Sequence, residues 1–239
     1  MTLSDDSLLE SPNQLAGILL ELRKSVLWLG GLLVGCTVGF YALSPFLLNI
    51  FQNHLHQKLA FFTVAEPFLA HVKISFFLAL FTLMPVFVYL FWKALSRPFG
   101  LKPNSIRWFA MATCILFYAG ASFCYFITLP FGVDFLLSYQ SEQLKPVISI
   151  GKFITFVTIF ILAFGLIFEL PIFMIFSGKV GFYSRKSFEK NRRYAILIIS
   201  IVAAVLTPTP DAVNMALMGV PLYLLYEVGI IVLKMLGIP

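Results

Sequence analysis

Apolar residues in this chain gather in long unbroken runs, with neither the two-residue alternation of a half-buried strand nor the one-sided stripe of a soluble helix. Six runs stand out, at residues 26–48, 67–91, 108–129, 153–176, 194–206 and 214–233. A hydrocarbon core about 30 Å thick requires about 20 helical residues, and five of the six runs reach that length. The fifth, Tyr194 to Leu206, has only 13 residues; Asn191 to Arg193 can lengthen it by reaching along the helix to the interface. The pattern predicts an all-α integral membrane protein, one unit over residues 1–239, with six transmembrane helices in a concave bundle and short helices 5 and 6. The competing arrangement is a re-entrant fifth segment, which leaves five spans and puts the termini on opposite sides.

Hydrophobic residues make up 60% of the chain and charged residues 12%, against about 45–50% and about 25% in soluble domains. A soluble fold has no means of covering that much apolar surface. The formal net charge of +6 would suggest nucleic acid as a partner of a soluble chain, but here the placement of the charges accounts for it. Only Lys58, Lys73, Lys145 and Lys152 fall on one side of the membrane; the other thirteen of the 17 Lys and Arg, within 23–24, 93–107 and 179–193 and at 234, fall on the opposite side. Short cytoplasmic loops keep the excess of Lys and Arg, so both termini are predicted to be cytoplasmic. The chain opens with Asp5, Asp6 and Glu10, the reverse of a cationic secretory leader, and no cleavable targeting segment is expected.

An ionisable side chain inside such a run is costly and marks function. Glu169 is the one ionisable residue between Phe153 and Phe176, with Pro171 two positions later. Seven residues from the end of its run, it lies about 10 Å from the inner end of a straight helix, and it is expected to meet solvent or a polar partner through a concave surface. Glu227 lies within the sixth run and needs a similar explanation. Glu66-Pro67-Phe68 opens the second run with Lys73 one to two turns on, an acid and a base within reach of each other at the outer rim. Leu206-Thr-Pro-Thr-Pro-Asp211 is a proline-rich hairpin that stops the fifth run. The short fifth helix leaves a step there, at which Met215 and Leu217 form a docking surface for a single-span partner helix. Glu66 and Asp211 can equally be helix caps, and Glu21, in the amphipathic lead-in Ala16 to Lys24, can pair with nearby bases.

The segments after the first and third runs contain amphipathic stretches that could lie on the membrane surface or cap the bundle. His54 and His56, two apart, fall on different helical faces and predict no metal site. Cys36, Cys114 and Cys124 all sit in apolar runs, where small buried thiols imply neither disulfide nor metal. No nucleotide loop, HExxH or Ser/His/Asp ordering is present, so neither a cofactor nor an enzyme is expected. The residues alone leave one alternative of another class, a small proton-coupled transporter or channel using Glu169 and Glu227 as a relay.

Six motifs in order, ELR (Glu21 to Arg23), EPF with a following lysine (Glu66 to Phe68, Lys73), FG…FELP (Phe164 to Pro171), RRY (Arg192 to Tyr194), LTPTPD (Leu206 to Asp211) and PLYLLYEVG (Pro221 to Gly229), resemble the TatC family over nearly the whole chain. The resemblance implies the multispanning core of the twin-arginine translocase in a bacterial inner membrane. Such a subunit is a receptor for twin-arginine signal peptides of folded precursor proteins. It assembles in several copies with single-span TatA-like and TatB-like partners and works on the proton-motive force. Glu21, with Arg23 beside it, matches the family's acidic signal-binding position; two guanidinium groups require carboxylate partners. Ser105 stands where the family carries a second acid, and Ile18 where it often carries histidine. Signal binding would then rest on Glu21, on another cytoplasmic acid such as Glu189, or on a partner subunit. By the same resemblance, Glu169 faces a polar residue in the partner's transmembrane helix.

Overall fold

The computed structural model describes residues 27–54, 59–96, 99, 102–137, 148–206 and 212–237. The chain enters through helix α1 (residues 27–40), which passes through a 3-10 turn at Tyr41–Leu43 into α2 (Ser44–His54). Pro45 has no N–H to continue the ladder, and the carbonyl of Tyr41 is taken up instead by the Ser44 N–H and by the Ser44 hydroxyl at 2.7 Å. The first span therefore runs on to Asn53, past the expected residue 48. Its amphipathic end caps the bundle, with Phe51 buried in the core.

Helix α3 is Glu66–Ser96 and α4 is Pro103–Phe123. A π turn at Cys124–Thr128 joins α4 to α5 (Leu129–Leu137). The π turn accommodates Pro130, whose missing N–H would otherwise orphan a carbonyl one turn back. Helix α6 (Ile150–Ile167) and α7 (Leu170–Val180) share the fourth span, separated at Phe168 and Glu169. Gly181, at φ +85°, ends α7 in the left-handed conformation that favours glycine. A short α8 (Arg185–Lys190) then precedes α9 (Arg192–Leu206) and α10 (Ala212–Met235).

Most helices overrun their apolar runs because polar residues near the headgroups stay helical; α3, for example, reaches 31 residues. The fifth is short as expected, at 15 residues. The sixth extends to 24, with its long apolar stretch at Met218–Met235. Two-residue strands β1 (Leu59–Ala60) and β2 (Ile148–Ser149) pair in parallel, Leu59 with Ile148 and Ala60 with Ser149. This small addition to the all-helical plan ties together the segments that follow the first and third spans.

Helix α6 is the centre of the bundle. Its buried Ile154, Val157, Ile161 and Phe164 share one core with Ala70 and Ile74 of α3 and Ala121 of α4, and Met218, Leu222 and Tyr226 of α10 continue that core where α10 packs on α7 and α9. By contrast α1 is peripheral, and Trp28, Val34 and Val38 are exposed. Lipid gives helices little hydrophobic reason to associate, so close approach at small residues matters more. A Cβ on Gly120 would come within 2.6 Å of the Phe168 side chain and 2.8 Å of the Phe164 carbonyl oxygen, and one on Gly165 within 2.6 Å of Phe117. These contacts seat α4 against α6 beside the break.

Candidate functional site

The break in the fourth span begins with Pro171. Without an N–H it cannot bond one turn back, and its ring disfavours the preceding helical ladder. The Phe168 N–H still reaches the Phe164 carbonyl and the Glu169 N–H reaches Leu166, after which the Glu169 carbonyl starts α7 by accepting from Ile172 and Phe173. Glu169 is thus the N-cap residue of α7, and its side chain makes no capping bond.

The Glu169 side chain turns inward, 3% exposed, and neither carboxyl oxygen has a hydrogen-bond partner among the described residues. It lines a cavity of about 300 Å³ between α3, α4 and the broken span, together with Trp92 and Thr113. The indole N–H of Trp92 donates to the Thr113 hydroxyl at 3.0 Å. Phe91, Leu166 and Phe173 form the rim, each about half exposed on the lipid-facing surface. The fourth span extends from Ile150 to Val180, which puts Glu169 eleven residues, about 16 Å, from its basic end. That corrects the 10 Å expected from the apolar run, because α7 continues through Ser177 to Lys179 before stopping. The surface at Glu169 is concave, and its lining is almost wholly apolar.

Glu227 has quite different surroundings. Its carboxylate accepts from Arg192 at 2.9 Å and from the Tyr223 hydroxyl at 2.8 Å. Both oxygens are engaged near the basic end of α9 and α10, so Glu227 is a paired acid while Glu169 is an unpaired one. Nearby, the Tyr226 hydroxyl donates to the Phe188 carbonyl and holds α8 onto α10.

At the same end of the bundle, Ser105 in the first turn of α4 accepts a hydrogen bond from the Lys179 ammonium at 2.9 Å, and that ammonium sits 5.3 Å above the Phe109 ring. A cation therefore sits beside the position where the resemblance leads one to expect a second acid. Glu189 pairs with Arg185 along α8 at 3.3 Å. Glu21 and Arg23 lie outside the described residues, as does Asp211.

At the opposite end, Glu66 and Lys73 do not pair with each other. Seven residues apart, they are separated by about 10 Å along α3, and both find partners across the bundle. One Glu66 oxygen accepts from the Ser149 hydroxyl and from the Gly151 N–H at 3.0 Å; the other accepts from the Phe62 N–H at 2.8 Å. Lys73 donates to the Thr155 hydroxyl at 2.8 Å. Met215, half-buried, lines a cavity of about 380 Å³ with Ile199, Ser200 and Gly219 where α9 meets α10. Leu217 is in α10, its side chain outside the described residues.

Sequence reasoning did not find Trp92, Thr113, Ser149, Thr155 or Lys179. Arg192 was visible as part of RRY but without a partner. Nothing local pointed to these side chains, since each meets its partner across at least 21 residues.

A bundle of membrane-length helices around one broken central span, with an unpaired acid at the break, defines a polytopic α-helical integral membrane protein. Comparison narrows that class. The family described as "Sec-independent protein translocase protein (TatC)" matches residues 17–221. The TatC protein of Carboxydothermus hydrogenoformans is 34% identical over 208 residues, covering 85% of each chain. That of Campylobacter jejuni is 33% identical, covering 90% of this chain and 91% of its own. A crystal structure of the twin-arginine translocase receptor TatC in DDM superposes with a TM-score of 0.77 at 27% identity, over 90% of this chain and 98% of that one. The chain belongs to the TatC family.

Proposed function

We propose that this chain is the twin-arginine signal-peptide receptor and core subunit of a Tat translocase, exporting folded proteins across a bacterial inner membrane on the proton-motive force. Its role is binding and assembly, not catalysis. Both termini are cytoplasmic in this reading, supported by the thirteen Lys and Arg that the order of the apolar runs assigns to one side of the membrane. The working complex contains several copies with TatA-like and TatB-like single-span proteins. Precursor arginines meet Glu21 near the start of the first span, while Ser105, with Lys179 bonded to it, is a poor substitute for an acid.

The observation that carries the assembly half of the reading is Glu169: buried, without a hydrogen bond, and facing a cavity with lipid-exposed rims. Leaving a polar group in that state costs on the order of 1–3 kcal/mol, which a polar side chain on a partner helix would recover. The outer entry to α10 at Met215 and Leu217 supplies a second contact for such a helix. Glu169→Ala is expected to abolish export of a twin-arginine precursor while the variant inserts and accumulates normally. Full export by an inserted Glu169→Ala protein would overturn the role. The relay alternative fits less well, since both Glu227 oxygens are committed to Arg192 and Tyr223 and the Glu169 cavity offers little polar surface for a proton path.

A further inference from the structure

A larger cavity, of about 880 Å³, opens between α3, α6 and α9 at the end of the bundle that carries Glu66. Its lower part is apolar, lined by Phe156, Ile159, Phe160, Ala163 and Val205. Ile159 and Val205 are exposed, at 59% and 78%, so the cavity faces lipid along its side. Its upper part carries Lys73 and Lys152, both exposed. Along α6 the distance from Lys152 to Ala163 is eleven residues, about 16 Å. That is close to the depth of one leaflet in a hydrocarbon core of about 30 Å.

Among the described residues the charges at the mouth are unbalanced. Glu66 is the one carboxylate of these residues that lines the cavity, and its oxygens are filled by Ser149, Gly151 and Phe62. Lys73 uses one of its three N–H donors on the neutral Thr155 hydroxyl. Among the described residues neither Lys73 nor Lys152 has a carboxylate partner. The lysines still need an anionic acceptor, and the groove beneath them needs an aliphatic chain. A partner helix would place mostly neutral backbone and side chains at this depth. A ligand with a fixed negative charge at the interface and a hydrocarbon tail below it meets both needs.

We propose that this cavity is a binding site for one anionic phospholipid of the outer leaflet, its phosphate held by Lys73 and Lys152 and one acyl chain lying along α6 down to Ala163. The site rests on membrane insertion with this end outward, and not on the receptor role of the opposite end. A bound lipid would brace the junction that Glu66 and the β1–β2 pairing make between the two extracytoplasmic segments.

The test is native mass spectrometry of the full-length, delipidated protein titrated separately with phosphatidylglycerol and phosphatidylcholine. The wild type is expected to retain phosphatidylglycerol preferentially. From the attraction of a lysine to anionic headgroups, loss of about fivefold per lysine is expected, on the order of thirtyfold for Lys73→Gln with Lys152→Gln, with phosphatidylcholine unchanged. Replacement of both by arginine should keep the preference, and Ala163→Trp should reduce both lipids by filling the groove. Equal binding of the two lipids by the wild type overturns the proposal, as does undiminished phosphatidylglycerol in the double glutamine variant. So does a crosslink from a cysteine at Ile159 to a single-span partner in place of lipid protection. If the double variant does not insert, Lys152→Gln alone, exposed in the first turn of α6, should show the fivefold loss, and unchanged binding there overturns the proposal too.

Discussion

Replacing Ser105 by glutamate puts an acid where the resemblance leads one to expect it, but the structure predicts that the substitution alone achieves little. The Lys179 ammonium lies 2.9 Å from the Ser105 hydroxyl and is steadied over the Phe109 ring at 5.3 Å. A glutamate at 105 would find that ammonium before any signal peptide arrived. A charge-assisted hydrogen bond to an arginine contributes about 1.5–3 kcal/mol. Against it stand the exposed pair with Lys179, about 0.2–1 kcal/mol, and repulsion between Lys179 and the arriving guanidinium, about 1 kcal/mol at 4 Å in water-like surroundings. The remainder is about 1 kcal/mol, so Ser105→Glu should tighten binding by no more than about fivefold. With Lys179→Gln added both opposing effects disappear, and the double variant should bind tenfold or more tighter than wild type. Fluorescence anisotropy of a labelled twin-arginine peptide with purified protein at about 0.15 M salt, with a twin-lysine peptide as control, measures both. If the single and double variants tighten binding equally, Lys179 does not occupy the site. If neither tightens it, Ser105 is not on the path of the arginines.

Two further experiments address the frame around the site. Gly120→Ala would force its new methyl against the Phe164 carbonyl oxygen at 2.8 Å. That contact is backbone and cannot rotate away, so overpacking of about 1–3 kcal/mol should outweigh the gain in helix propensity of up to about 1 kcal/mol; an unchanged or raised thermal midpoint in detergent would show that the helices part freely. For Arg192 and Glu227, 47% and 25% exposed at 2.9 Å, a double-mutant cycle with glutamine at each position should return a coupling of about 0.5–1 kcal/mol, since half of the pair is screened by solvent. A coupling of several kcal/mol would mean a pair buried in an assembly that the isolated chain lacks.

What the sequence made legible was whatever depends on neighbours along the chain. The six apolar runs became helices because a bilayer span is a local property, and the Thr-Pro-Thr-Pro stretch marked the end of α9 because proline acts on its own ladder. Pro171 is the local cause of the break, but the run around it read as a single helix. The expected helices stopped short of their true ends because residues such as Lys93, Asn104 and Lys179 are polar and still helical, which hydropathy cannot register. The side-chain partnerships were hidden for a different reason. Lys179 meets Ser105 across 74 residues and Glu66 meets Ser149 across 83. Pairs of that separation are created by the packing of α4 on α7 and of α3 on the start of α6, which no single stretch encodes. Local spacing even misled once, by suggesting that Glu66 and Lys73 would satisfy each other when both turn to α6.

The same packing explains how an unpaired acid can be held inside the membrane without being lost to a local rearrangement. Phe168 immediately precedes Glu169, and the Phe168 ring lies against the bare backbone of Gly120. One turn earlier Gly165 accepts Phe117 in the same manner, and on the far side of the break Gly229 of α10 accepts Met174 and lies close to Pro171. Each of these contacts lets two helices approach more closely than side chains would allow, and in lipid such approach is a main source of association energy. Together they fix α4 and α10 on both flanks of the break, while Pro171 removes the N–H that would have kept the span straight. The Glu169 side chain then has little freedom to swing toward the distant headgroups, and it faces the cavity beside Trp92 and Thr113. A carboxyl group held this way has already lost the conformational entropy that a flexible one would lose on binding. The glycines at 120, 165 and 229 thus set the direction of the acid, and their effect on any partner helix would be transmitted through its position without their touching that helix.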